Sequence, residues 1–283
     1  RSGSSAKLYQ RLWTKEGSPI KIYGMSVARK LQQHLGDNYA VELAMRYQSP
    51  DLETALKKLI FEIKVSEIVV FPMFQQYASA TTGSVHDEVM RLLRQWDLIP
   101  NVKMINSYPD NPEMIDVFVQ NAKKYEVTSY DHFIFSFHGV PERHVKKADP
   151  SGSHCLKKEN CCNLACLENQ FCYSAQCHTT AHAIATKLGL DKEQYSITYQ
   201  SRLGKDPWLQ PYTDQTLQNQ LSKGNKKILV FSPAFVADCL ETTIEIGFEY
   251  KEDFIHNGGE RLDLVESLND NEAWVKAIAN MVK

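Results

Sequence analysis

Long apolar runs are missing from this chain. No window of the 283 residues approaches the roughly 18 to 20 consecutive apolar residues of a membrane span. The longest such runs, 68–74 and 228–231, have the length of buried strands. The opening RSGSSAKLYQRLW has basic residues with no apolar core behind them, which excludes a secretory signal there. An excess of either charge is also missing: 32 basic residues face 34 acidic ones, giving a net charge of -2. Such a balance carries no electrostatic footprint for nucleic acid, so no nucleic-acid partner is expected. Cysteine is scarce outside one segment, with six of the seven between Cys155 and Cys177 and only Cys239 elsewhere. An odd number in a chain too large to need disulfide staples points to reduced thiols in a cytoplasmic protein. What remains is ordinary globular composition, 43% hydrophobic and 23% charged, enough for one large domain or two with proper cores.

Short β-branched apolar runs alternate with helical patterns, the signature of parallel sheets with crossover helices. Strands are expected at 40–47, 67–74, 102–108, 132–137, 195–200, 227–232 and 261–266. Helices are expected at 52–64, 84–96, 112–125, 175–188, 213–222, 239–254 and 272–281. The chain also repeats itself. ARKL ending at Leu31 resembles ATKL ending at Leu188, 157 positions on; VVFPMF with Pro72 resembles VFSPAF with Pro233, 161 on; SYPDNPE with Asn111 resembles SLNDNE with Asn271, 160 on. Three landmarks in one order at nearly one offset predict an α/β fold of two similar Rossmann-like halves, each a parallel sheet flanked by helices. The expected division is 1–128 and 129–283, with a cysteine-rich insertion at 149–177 in the second half. Moving the 132–137 strand back by 157 puts its counterpart at about −25 to −20, so the repeat expects a further strand ahead of residue 1.

In open α/β sheets functional residues collect beyond the C-terminal ends of strands. His138 follows an apolar strand and precedes Gly139 and Pro141, which fixes its imidazole at a strand tip; a buried, simply hydrogen-bonded histidine is the plainer alternative. Glu241, Glu245 and Glu249 recur every four residues beside the apolar row Leu240, Ile244 and Phe248. That spacing is either an acidic surface or a row able to pass protons or hold a divalent ion facing a histidine. QYASATTGS supplies hydroxyls ahead of the helix at Ser84, and helix capping is its expected use over anion binding. Six thiols in the 23 residues from Cys155 to Cys177 are dense enough for a four-thiolate site, without the paired spacing of a zinc ribbon.

These motifs together resemble the ferrochelatases, which insert ferrous iron into a porphyrin in the last step of haem synthesis. The resemblance runs from SAKLYQRLW to the C-terminus through EGSP, AMRY, QYASATTGS, FSFHGVPERH, YQSRLGKDPWLQPYTD and ADCLETTIEI, in the family's order. It implies a chelatase-like fold and a lyase whose substrates are Fe²⁺ and protoporphyrin IX and whose product is haem. No nucleotide is needed. By motif, His138 is the metal ligand or pyrrole-proton acceptor, and Glu241 stands on the opposite side of the pocket, with Glu245 and Glu249 continuing inward. Arg46, Tyr77, Trp208, Phe235 and Asp238 match positions near the porphyrin. The family normally opens with a strand and a loop forming one lip of the porphyrin mouth, and the resemblance here starts after them. At Cys239 some members carry a further histidine. Some microbial members have cysteine-rich segments associated with a [2Fe–2S] cluster, and the resemblance points to Cys155, Cys162, Cys172 and Cys177 as its ligands, with Cys161 and Cys166 as alternates. The same residues also suit a chelatase for another divalent metal, such as cobalt, and a different tetrapyrrole, because His plus Glu binds several such ions. A haem- or cluster-binding sensor without turnover is the third reading, and the presence of both His138 and Glu241 speaks against it. Peripheral membrane contact is compatible with every one of these.

Overall fold

The computed structural model describes residues 10–163 and 165–283. In the first half, helix α1 (Pro19–Leu35) starts at the Ser18 cap with proline in its first turn and stops at Gly36, whose φ of 74° suits glycine. The sequence reading assigned no helix there. Helix α2 (Leu52–Lys57), capped by Asp51, runs on as a π-helical turn over Lys58–Ile63 before strand β1 (Glu67–Val70). A second π-helical turn (Ser79–Gly83) leads into α3 (Ser84–Leu93), followed by β2 (Asn101–Met104) and α4 (Pro112–Ala122). β1 ends earlier than its apolar run because Pro72 has no N–H to give a ladder.

The second half opens with β3 (His132–His138) and a short helix α5 (Glu142–Ala148), also not anticipated, then α6 (Tyr173–Leu188), β4 (Tyr195–Gln200), α7 (Thr213–Ser222) and β5 (Lys227–Phe231). A long π-helical segment (Leu240–Tyr250) turns into α8 (Lys251–His256), and β6 (Arg261–Leu264) and α9 (Glu272–Val282) complete the chain. β1 and β2 pair in parallel, and β4-β3-β5-β6 form a second, wholly parallel sheet. Counted from β3, that order is 2-1-3-4, so the strand order reverses between β3 and β5, where this architecture places ligands.

The two halves correspond element by element: β1 with β5, β2 with β6, a π-helical turn after each of β1 and β5, and Asn111 and Asn271 capping α4 and α9. The expected strand at 40–47 is the exception, with no ladder beyond a bridge from Met45 to Asp51. Its counterpart β4 has β3 as its one ladder partner, and among the described residues no strand forms a ladder with 40–47 in that role. β3 is buried along His132–Phe137, as a parallel strand covered on both faces must be, and Phe135 stacks on Phe231 of β5 at 4.9 Å. The main core joins both halves: Met114, Phe118 and Tyr108 from the first pack with Phe133, Phe137 and Trp274 from the second.

Candidate active site

His138 is the last residue of β3, paired in register with Gln200 of β4. Its Nδ1 lies 2.7 Å from the Gly139 carbonyl, which can only accept, so Nδ1 carries a hydrogen and Nε2 is the ring nitrogen left outside that bond. The ring stands 6.1 Å from that of Phe235 and 6.5 Å from that of Trp208. Behind it, the Tyr173 hydroxyl donates to the His138 carbonyl at 2.7 Å. Gly139 suits the close packing here: a Cβ would meet the Gln200 carbonyl at 3.0 Å and the Trp208 ring at 3.2 Å. Trp208 is set by a strand-like zipper, in which Glu142 N–H donates to the Pro207 carbonyl and Leu209 N–H to the Val140 carbonyl. Its indole N–H bonds the Leu203 carbonyl at 2.9 Å.

Across the switch point, Glu241 sits in the first turn of the Leu240–Tyr250 segment, half-buried, with the buried Cys239 as N-cap. Burial, and next the neighbouring Glu241, push the Cys239 thiol far up, so Cys239 is a neutral thiol beside a carboxylate. Glu245, half-buried, accepts from Ser201 N–H (3.1 Å), the Ser201 hydroxyl, Gln200 Nε2 (3.3 Å) and the Tyr250 hydroxyl (2.8 Å). Glu249 is exposed, so the carboxylate row leads from the half-buried Glu241 and Glu245 out to solvent, where the family resemblance implies that it continues inward. Tyr250 was not anticipated, because residues five apart lie on different faces of an α-helix. The i→i+5 winding brings them together.

The other expected residues are distributed around this centre. Arg46 is tied to the start of α3, its Nε donating to the Ser84 carbonyl (3.1 Å) and hydroxyl (2.9 Å), with its guanidinium over the Tyr47 ring. Arg46 and Phe235 share the wall of a cavity of about 330 Å³ that His138, Glu241, Tyr77 and Trp208 do not line. Tyr77 lines a different cavity of about 560 Å³, with Arg143, Lys147 and Tyr173; its N–H donates to Gln176 at 2.7 Å and its ring meets Phe171 edge-on. Asp238 is taken up by Ser267 N–H (3.1 Å) and the Asn269 amide (2.7 Å), bracing the loop before Glu241. The hydroxyls of SATTG do not cap α3. The π-helical turn already gives its amides backbone partners, such as Gly83 N–H to the Ala78 carbonyl at 3.1 Å, and no side-chain cap is made.

Against known proteins, the chain matches the ferrochelatase family over residues 1–283. It is 42% identical to a ferrochelatase of Pseudomonas fluorescens (strain Pf0-1) over 285 residues, covering 99% of this chain and 82% of that protein. It is 41% identical to a ferrochelatase of Legionella pneumophila (strain Lens), covering 100% of this chain and 83% of that one. The chain belongs to the ferrochelatase family. It is accordingly a porphyrin metal chelatase, a lyase of haem biosynthesis. Among solved structures, one described as SirB from Bacillus subtilis with Fe3+ superposes with a TM-score of 0.60 at 12% identity, covering 93% of this chain and 90% of that one, a likeness of fold.

In this ferrochelatase the cysteine segment is anchored by Asp149, whose carboxylate accepts the N–H groups of Ser151 (2.9 Å), His154 (2.8 Å) and Cys155 (3.0 Å). Cys172 bears on the thiols of both Cys155 and Cys162, Cys162 donates to the Ser174 hydroxyl at 3.3 Å, and the Cys161 and Cys162 sulfurs are 3.9 Å apart. Cys177 is fully buried beside Tyr173, while Cys166 turns to His154 at 3.6 Å. Burial pushes the Cys155 thiol up to about 11. All seven cysteines are free thiols. Among the described residues no three His, Cys, Asp or Glu side chains converge as a metal ion requires, so the donor atoms suit a cluster in kind while their arrangement is that of neighbouring thiols.

Proposed function

We propose that this ferrochelatase inserts Fe²⁺ into protoporphyrin IX at a site centred on His138 and Glu241. The observation that carries the reading is the imidazole at the tip of β3, held by Nδ1 on the Gly139 carbonyl, which leaves Nε2 as the nitrogen available to the macrocycle. Forming protohaem releases the two pyrrole protons, and His138 Nε2 accepts the first. Glu241, half-buried across the switch point, takes the second or steadies the partly dehydrated dication, and the exposed Glu249 returns protons to water. Phe235 and Trp208 flank the imidazole and offer flat apolar surface to the macrocycle. Holding the ring out of plane would be strain supplied by binding elsewhere on it. Arg46, Tyr77 and Asp238 then act from the periphery of the pocket.

The cysteine segment is proposed to hold a [2Fe–2S] cluster through Cys155, Cys162, Cys172 and Cys177, supported by the influence of Cys172 on both the Cys155 and the Cys162 thiols. A Cys172→Ser variant is expected to lose the cluster's visible absorption, and unaltered iron and sulfide content would remove Cys172 from the ligand set. Free thiols throughout support the cytoplasm as its compartment. No described helix is long and apolar enough to cross a membrane, and the apolar substrate makes peripheral membrane contact part of the same proposal.

Anaerobic mixing of the protein with protoporphyrin IX and Fe²⁺ tests the reading. Catalytic loss of porphyrin fluorescence with appearance of haem absorbance is expected. Tight haem binding without turnover would contradict it.

A further inference from the structure

His138 and Glu241 stand on different elements, and one side chain joins them. Gln200 ends β4 opposite His138, and its carbonyl accepts Gly139 N–H at 2.7 Å. Its side-chain Oε1 accepts the Ser136 hydroxyl at 2.7 Å, two residues before His138 on β3. From the same amide, Nε2 donates to the Glu241 carbonyl at 2.7 Å and to the Glu245 carboxylate at 3.3 Å. Gln200 is 3% exposed, so these bonds are made away from competing water.

The next residue braces the joint. Ser201 has φ of 59°, a left-handed conformation uncommon outside glycine, and it directs both N–H and hydroxyl onto Glu245. Each oxygen of Glu245 accepts two bonds, from Ser201 N–H and Tyr250 on one and from the Ser201 hydroxyl and Gln200 on the other. A carboxylate has about four lone-pair sites, so Glu245 is fully engaged in holding the π-helical segment to the end of β4.

We propose that Gln200, braced by Glu245, is the positioning residue that sets the separation and orientation of His138 and Glu241. The inference rests on the assignment of that pair. Gln200→Met keeps the length and volume and removes the bonds, while Ser136 retains Thr213 as partner. Expected is a kcat lower by about ten- to a hundredfold, as misplacement of reacting groups produces, with KM for the porphyrin little changed. Gln200→Glu keeps the acceptor and regains a donor whenever its carboxyl is protonated, so its kcat relative to wild type is expected to exceed that of Gln200→Met and to be highest at acid pH. The inference is overturned by a Gln200→Met enzyme with wild-type kcat, by one whose kcat, KM and melting temperature collapse together, or by a Gln200→Glu enzyme as slow as Gln200→Met at every pH. His138→Ala is assayed alongside. Full turnover in that variant refutes the assignment of the pair, whereas its inactivity together with a wild-type Gln200→Met refutes the positioning role alone.

Discussion

An imidazole can take a proton from a macrocycle only if one nitrogen is both unprotonated and uncommitted. At His138 Nδ1 is committed to the Gly139 carbonyl, so the proposal gives that part to Nε2. For Glu241→Gln the shape is kept and the proton acceptor lost, so a severe fall in kcat with porphyrin still bound is expected; unchanged turnover, measured by the same fluorescence assay, would take Glu241 out of the mechanism. Gly139 offers a test of the local packing. Gly139→Ala brings a methyl against the Gln200 carbonyl and the Trp208 ring, and a loss of about 1–3 kcal/mol is expected by denaturant unfolding. The strand-tip place of His138, the carboxylate row that Glu241 opens and the density of thiols from Cys155 to Cys177 were legible in the sequence, because each is a local pattern. Gln200, Ser201 and Tyr250 were not, because their roles depend on a strand register, a left-handed φ and a π-helical winding that no residue spacing announces.

At the scale of elements, the strands that proved as expected are those with a partner on each side or a firm one on one side. Strand 195–200 agrees in both bounds with β4, whereas the more apolar 40–47 forms no ladder, since β-structure is a property of pairs and sequence shows one member at a time. Helix 239–254 was legible as a helix but not in its winding, and its winding is what couples Glu245 to Tyr250. Two matched caps link the halves: Asn111 accepts Met114 N–H at 2.9 Å and Asn271 accepts Ala273 N–H at 2.9 Å. Replacing either by alanine is expected to cost about 1 kcal/mol in urea unfolding without altering turnover, and a larger effect from Asn111 alone would show that the two ends are not energetically alike.

For the molecule as a whole, pH acts on stability through buried histidines other than His138. Burial, the leading cause at both, lowers His132 and His178 to about 4. The unfolded chain binds protons at these rings near 6.5 while the folded one does not. Stability is therefore fully present above about pH 6.5, falls as pH drops toward 4, and levels off below. Thermal unfolding across that window is expected to show the decline, and to show less of it in His178→Gln; an unchanged slope would mean that His178 is not a source of the pH dependence. Because the core joins both halves, a single cooperative transition is expected. The most direct test of the central claim is stopped-flow insertion of Fe²⁺ into pre-bound protoporphyrin IX, comparing wild type with His138→Ala. The account predicts binding in both and insertion only in wild type. Insertion by His138→Ala at the wild-type rate would contradict it.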